Sequence, residues 1–247
     1  MLRVSLFSFV LGAALFVFGA GWAAETVHWG YAGEEGPENW AKLSPEFAAC
    51  AGKNQAPIDL TRFVKANLKP LKISYRAGGQ EIVNNGHTVQ VNYGPGSSIS
   101  IDGIQFTLTQ FHFHAPSENH INGKSYPMEG HFVHADKDGN LAVVALMFND
   151  GTENKALKSL WSLMPETAGD KAQLPSSFDA ASLLPPSYAY YRFNGSLTTP
   201  PCTEGVRWLV LKTPVSVSRE QLTAFVHVMH HPNNRPLQPL NARTVLE

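Results

Sequence analysis

Two short stretches carry histidines at a spacing that suits a metal ion. Residues 109–114 read Thr-Gln-Phe-His-Phe-His and residues 129–134 read Glu-Gly-His-Phe-Val-His. Alternate side chains of a β-strand share a face, so Gln110, His112 and His114 would project one way and Phe111 and Phe113 the other. Two imidazoles on one face, two residues apart, can share an ion at about 2.0–2.1 Å from each nitrogen. Glu129, His131 and Val133 make the same kind of face on a second strand, where His131 would add a third nitrogen. Three neutral nitrogens leave a tetrahedral zinc with an open position. That is the arrangement of a catalytic centre, whereas structural zinc is normally closed by four protein ligands. His134 faces away from His131 and reads as a core histidine.

The elements that must hold these strands can be read from hydrophobic periodicity. Alternation through His87, Val89, Val91 and Tyr93, and again through Ile99, Ile101, Phe106 and Leu108, predicts strands over 81–93 and 98–113. Further strands are predicted over 130–135, 141–148, 189–193 and 206–212. Helical spacing appears over 154–164 and 218–230, the second with Ser218 as N-cap and Glu220 in the first turn. No repeat, low-complexity tract or linker divides the chain, so a single strand-rich domain is expected. Its 247 residues, 43% hydrophobic and 16% charged, suit a globular core and exclude general disorder. A balance of 19 basic against 20 acidic residues lacks the basic excess that marks nucleic-acid binders.

The amino terminus reads as a targeting segment. Arg3 precedes an uncharged run from Val4 to Ala24, and Gly21 and Ala23 suit cleavage after Ala23, with Ala24 the near alternative. Residues 1–23 are therefore assigned to a signal peptide and 24–247 to the functional domain. The mature chain has no second long apolar run and is expected not to insert stably in a membrane. Export predicts a periplasmic location in a host with two membranes and secretion otherwise. It also predicts that Cys50 and Cys202, the only cysteines, form a disulfide.

Several ordered motifs give the sequence a close resemblance to the α-class carbonic anhydrases of the bacterial, exported type. They are His-Trp-Gly-Tyr at 28–31, Gly-Pro-Glu-Asn-Trp at 36–40, Lys-Asn-Gln-Ala-Pro-Ile at 53–58, Asn-Asn-Gly-His at 84–87, the His-x-His strand, and Ser-Leu-Thr-Thr-Pro-Pro at 196–201. The resemblance implies a mainly β, mixed α/β domain. Its fold would be a central, mostly antiparallel twisted sheet with short peripheral helices and a conical cleft reaching zinc. It also implies reversible hydration of carbon dioxide to bicarbonate. His112, His114 and His131 match the zinc ligands, and Gln110 and Glu129 the partners that orient His112 and His131. Glu118 and Thr198 match a hydrogen-bonded pair in which Thr198 accepts from zinc-bound hydroxide and donates to Glu118. His87 matches a proton shuttle, and Val133, Val143, Leu197, Val206 and Trp208 an apolar wall for the gas. Thr199, Tyr31, Asn85 and Gln90 match residues that order solvent, although Gln90 stands where well-known animal members carry Asn. A cis bond between Pro200 and Pro201 is implied as well, and the family leaves room for a homodimer.

Two rival readings have sequence support. A cupin-type metal enzyme also uses His-x-His followed by a carboxylate, which His112, His114 and Glu118 fit. That pattern wants Gly six residues before the first histidine, where Phe106 stands, and it leaves Thr198 and the 84–87 motif unexplained. A non-catalytic carbonic-anhydrase-like binding protein would typically lack one of the three histidines, and all three are present.

Overall fold

The computed structural model describes residues 27–247; the predicted signal peptide and the start of the predicted domain lie outside them. Among the described residues thirteen strands are present: β1 Asp59–Leu60, β2 Lys72–Ser74, β3 Gly79–Asn84, β4 Val89–Tyr93, β5 Ser98–Ile101, β6 Ile104–His114 and β7 His120–Ile121. They continue with β8 Met128–Ala135, β9 Leu141–Asp150, β10 Lys171–Gln173, β11 Tyr190–Ser196, β12 Glu204–Leu211 and β13 Val215–Val217. Three short α-helices accompany them: α1 Trp40–Leu43, α2 Lys155–Trp161 and α3 Arg219–Met229.

Eleven strands form one sheet whose main path runs β10-β3-β4-β6-β8-β9-β12-β11. Its pairings are antiparallel except those of β9 with β12 and β13. This matches the expected mainly β architecture. The antiparallel pairing of β6 with β8 sets His112 directly opposite His131. Between Leu108 and Gln110 the register of that pair shifts, and the Thr109 hydroxyl donates to the Val133 carbonyl there.

The central strands are buried on both faces, and the two-residue period divides their side chains between two cores. Phe111, Phe113, Phe132, Val144, Leu146 and Phe148 enter one core. Val133, Val143, Ala145 and Met147 enter the other with Val206 and Trp208. The first core is closed by α2 and α3. Asn154 caps α2, and Ser218 with Gln221 makes a reciprocal capping box on α3. The Gln221 side chain also bonds Asn154, and Trp161 stacks on Phe225, so the two helix ends are tied together. His230 ends α3 with φ 61°, turning the chain back towards the sheet.

Cys50 and Cys202 form the predicted disulfide, and the Pro200–Pro201 bond is cis. Trp40 and the disulfide pack with Trp29, Tyr31 and Phe47 in a small amino-terminal cluster. Among the described residues no helix is long and apolar enough to cross a membrane.

His134 takes the core position predicted for it. Its Nδ1 donates to the Ala142 carbonyl at 3.2 Å, and its Nε2 accepts from the Tyr75 hydroxyl at 2.7 Å. Complete burial lowers its pKa to about 4. The unfolded chain binds this proton near the ordinary histidine value, so stability contributed by His134 falls as pH drops from about 6.5 to about 4, by roughly 3 kcal/mol. Urea unfolding from pH 7 to pH 4 should therefore show a shallower pH slope for His134→Asn than for the wild type. Parallel slopes would contradict this assignment.

Candidate metal centre

The three histidines predicted from strand faces converge. One nitrogen from each of His112, His114 and His131 lies within 4.8 Å of the other two. The second nitrogen of each ring is already engaged. His112 Nδ1 donates to Gln110 Oε1 at 2.8 Å, and His114 Nδ1 to the Asn233 carbonyl at 2.7 Å. His131 Nε2 meets Glu129 Oε1 at 2.9 Å. Because an amide or carbonyl oxygen can only accept, the hydrogens of His112 and His114 sit on Nδ1, leaving both Nε2 lone pairs free. By the same logic His131 presents Nδ1. His114 Nε2 is buried with no hydrogen-bond partner.

Electrostatics keep this set neutral. Burial depresses the pKa of His112, His114 and His131. The neighbouring rings depress His112 and His131 further, whereas the Asn233 carbonyl and Glu129 partly support a charge on His114. Unprotonated nitrogens are what a metal requires. The donor set therefore fits a borderline cation such as zinc, with three nitrogens and one open side.

Around the rings lies a buried carboxylate pair. Glu129 is fully buried, and besides His131 it accepts from the backbone N–H groups of Glu118 and Asn119 and from the Asn119 side chain, each at 2.8 Å. Glu118 Oε1 accepts from the Arg235 backbone N–H at 2.8 Å. Its Oε2 has no well-formed hydrogen bond and lies 3.6 Å from His114 Nε2 and 3.9 Å from His131 Nδ1. Burial pushes the Glu118 carboxyl up to about 8, with the Arg235 N–H and the adjacent Thr198 hydroxyl pulling the other way. A cation held by the three rings would draw it back towards the ionised form. Glu118 approaches the free nitrogens of His114 and His131 but is not one of the converging ligands. This departs from the cupin-type reading, which makes the carboxylate a ligand.

Val133, Val143, Val206 and Trp208 share one core cluster, with Leu197 packed against it. Trp208 meets His131 edge to face at 4.9 Å. Thr198, buried, and Thr199 lie between β11 and β12, where the Cys202 N–H donates to the Thr199 carbonyl. Gln90 lies opposite His112 in the β4–β6 register, and its side chain donates to Asn92. Tyr31 has a buried, unpartnered hydroxyl, whose pKa burial and the Glu118 charge both raise.

His87 is outside the converging set. Asn85, itself exposed, accepts from the backbone N–H groups of His87 and Thr88 and so shapes the turn that presents the ring. The half-buried His87 imidazole stacks on Trp29 at 3.7 Å. Burial, then His28 and His231, lower its pKa.

Sequence reasoning passed over Asn233, Asn119 and Arg235. Asn233 holds His114 through its carbonyl, while its side chain ties Ala115, Phe113 and His87. The only local signal was a polar Asn-Asn-Arg run between prolines after α3.

Comparison with known proteins is consistent with this geometry. A family model described as eukaryotic-type carbonic anhydrase matches residues 35–247. The chain is 51% identical over 225 residues to a carbonic anhydrase of Pectobacterium carotovorum, covering 91% of this chain and 92% of that one. It is 48% identical over 240 residues to one from Neisseria gonorrhoeae, covering 96% and 95%. Among solved structures, the α-carbonic anhydrase of Thermovibrio ammonificans with the inhibitor sulfanilamide superposes with a TM-score of 0.88 at 52% identity. The match covers 90% of this chain and all of that one.

The partners of the rings should govern metal affinity. Replacing Gln110 by Leu removes the acceptor for His112 Nδ1–H, and zinc affinity measured by chelator competition should fall by about 10–100-fold. An unchanged affinity would show that the Gln110 contact does not orient the ring.

Proposed function

The chain belongs to the eukaryotic-type, or α, carbonic anhydrase family, and from that membership we propose that it is a zinc enzyme catalysing the reversible hydration of carbon dioxide to bicarbonate and a proton. The observation that carries this reading is the convergence of three neutral imidazole nitrogens, two on buried rings and one on a half-buried ring, whose opposite ring positions are all hydrogen-bonded. His112, His114 and His131 would hold the ion. When bound, zinc supplies Lewis acidity that makes a hydroxide nucleophile available near neutral pH, an effect for which carbonic anhydrases are themselves the reference case.

The rest of the work falls to the chain's own side chains. Val133, Val143, Leu197, Val206 and Trp208 form an apolar wall against which a non-polar gas can rest beside the metal-facing nitrogens. The Thr198 hydroxyl accepts a hydrogen bond from the nucleophile and donates one to Glu118, which fixes the direction of attack. Glu129 and Gln110 hold the histidine tautomers. Tyr31, Asn85, Gln90 and Thr199 flank the solvent path, and His87 takes the proton outward on its ring nitrogen. A histidine suits that step because its ordinary pKa, about 6.5, lets it accept and release near neutrality.

Export through the amino-terminal segment completes the proposal. The uncharged run after Arg3 supports it, with a periplasmic location in a two-membrane host.

Stopped-flow hydration with metal analysis on the mature chain tests the reading. Activity should track a stoichiometric zinc, and His114→Ala should lose both metal and activity; full activity in that variant would overturn the assignment. His87→Ala should lower kcat in dilute buffer by roughly tenfold or more. Isotope exchange between carbon dioxide and bicarbonate should stay nearly unchanged, and imidazole buffer should restore the lost turnover. Undiminished kcat in dilute buffer would remove His87 as the proton carrier.

A further inference from the structure

Arg235 is a cation with 2% of its surface exposed, and among the described residues no carboxylate lies within ion-pair distance of its guanidinium. Its Nη1 donates to Gln55 Oε1 and the Ala56 carbonyl, each at 2.8 Å, and its Nη2 to the Cys50 carbonyl at 3.0 Å. Nε has no partner, and the guanidinium carbon sits 5.3 Å from the centre of the Trp40 ring. Burying a charge against neutral acceptors alone is costly, and an apolar side chain of similar volume would fill the space with less penalty. The arrangement therefore calls for a role other than packing.

The three acceptors belong to the segments that carry the threonine loop. Gln55 also donates to the Cys202 carbonyl and to Glu204, and the Ala56 N–H donates to Ser196. Cys50 is bonded to Cys202, whose N–H holds the Thr199 carbonyl. The guanidinium thus grips the framework on which Thr198 is mounted. The backbone N–H of the same residue grips Glu118 Oε1 from the other side. Two residues earlier, Asn233 holds His114.

Resting on the proposed roles of Glu118 and Thr198, we infer that Arg235 is a positioning residue: it sets the spacing between the Glu118 carboxylate and the Thr198 hydroxyl by locking the 233–235 segment to the Gln55–Ala56 and Cys50–Cys202 framework. Its pKa, lowered by burial to about 10, leaves it charged and able to donate at neutral pH. Loosening the grip would let Glu118 drift from Thr198, with loss in the carbon dioxide step and little in proton export.

A double-mutant cycle tests this. Arg235→Met should lower kcat/KM for hydration by about tenfold in the wild-type background but by less than about twofold on top of Glu118→Gln, because a residue acting through Glu118 has nothing left to position there. Arg235→Lys, which keeps the charge and stem, should recover part of the loss, and zinc content should remain stoichiometric throughout. Equal losses in both backgrounds would overturn the inference and leave Arg235 structural. If Arg235→Met does not fold, Gln55→Leu removes the one side-chain acceptor and should show the same dependence on Glu118. A Glu118→Gln variant with wild-type kcat/KM would instead refute the proposed role of Glu118, a separate result.

Discussion

Three imidazole rings, two buried and one half-buried, converge in a setting that disfavours charge on any of them, and each is held by an oxygen on the side away from the others. That constraint organises the surrounding architecture. Burial alone makes the protonated rings unfavourable, and the oxygens of Gln110, Asn233 and Glu129 choose which nitrogen keeps its hydrogen. The result is a pocket of lone pairs that cannot satisfy one another. His114 Nε2, buried and unpartnered, is the clearest sign of it. An orphaned buried acceptor is unfavourable in a folded chain, and a cation held by the three rings would relieve the one at His114.

Keeping the rings in place requires contacts from distant parts of the chain. β6 and β8 supply the ligands because their register places His112 against His131. The third orienting oxygen comes from Asn233, in the segment that returns from α3 after the left-handed turn at His230. The threonine loop arrives between β11 and β12 and is pinned by Cys202, Gln55 and Ser196. The apolar wall is simply the face of β8, β9 and β12 that the two-residue period assigns to the second core. The residues proposed to shelter the gas belong to a hydrophobic core cluster, so they also hold the sheet together.

Much of this was legible in the residues. Strand periodicity put His112 and His114 on one face and Phe111 and Phe113 on the other, and the structure places the phenylalanines in the core. The same rule separated His131 from His134. Ser218 caps its helix as expected, and the helical spacing that begins at Asn154 belongs to a real helix, α2. What could not be read were partners fixed by tertiary closure. Asn233 meets His114 across 119 positions, and Arg235 meets Glu118 across 117. Backbone atoms make both contacts, so side-chain chemistry left no trace of them. The family resemblance supplied roles for Thr198 and His87 that spacing alone would not have suggested.

Three histidine nitrogens converge, and among the described residues no fourth ligand joins them. X-ray absorption on the mature protein, titrated with zinc from the metal-free state, tests this arrangement most directly. Saturation is expected at a single equivalent, with three imidazole nitrogens and one exchangeable oxygen around the ion. A fourth protein ligand, or saturation without imidazole scattering, would contradict it.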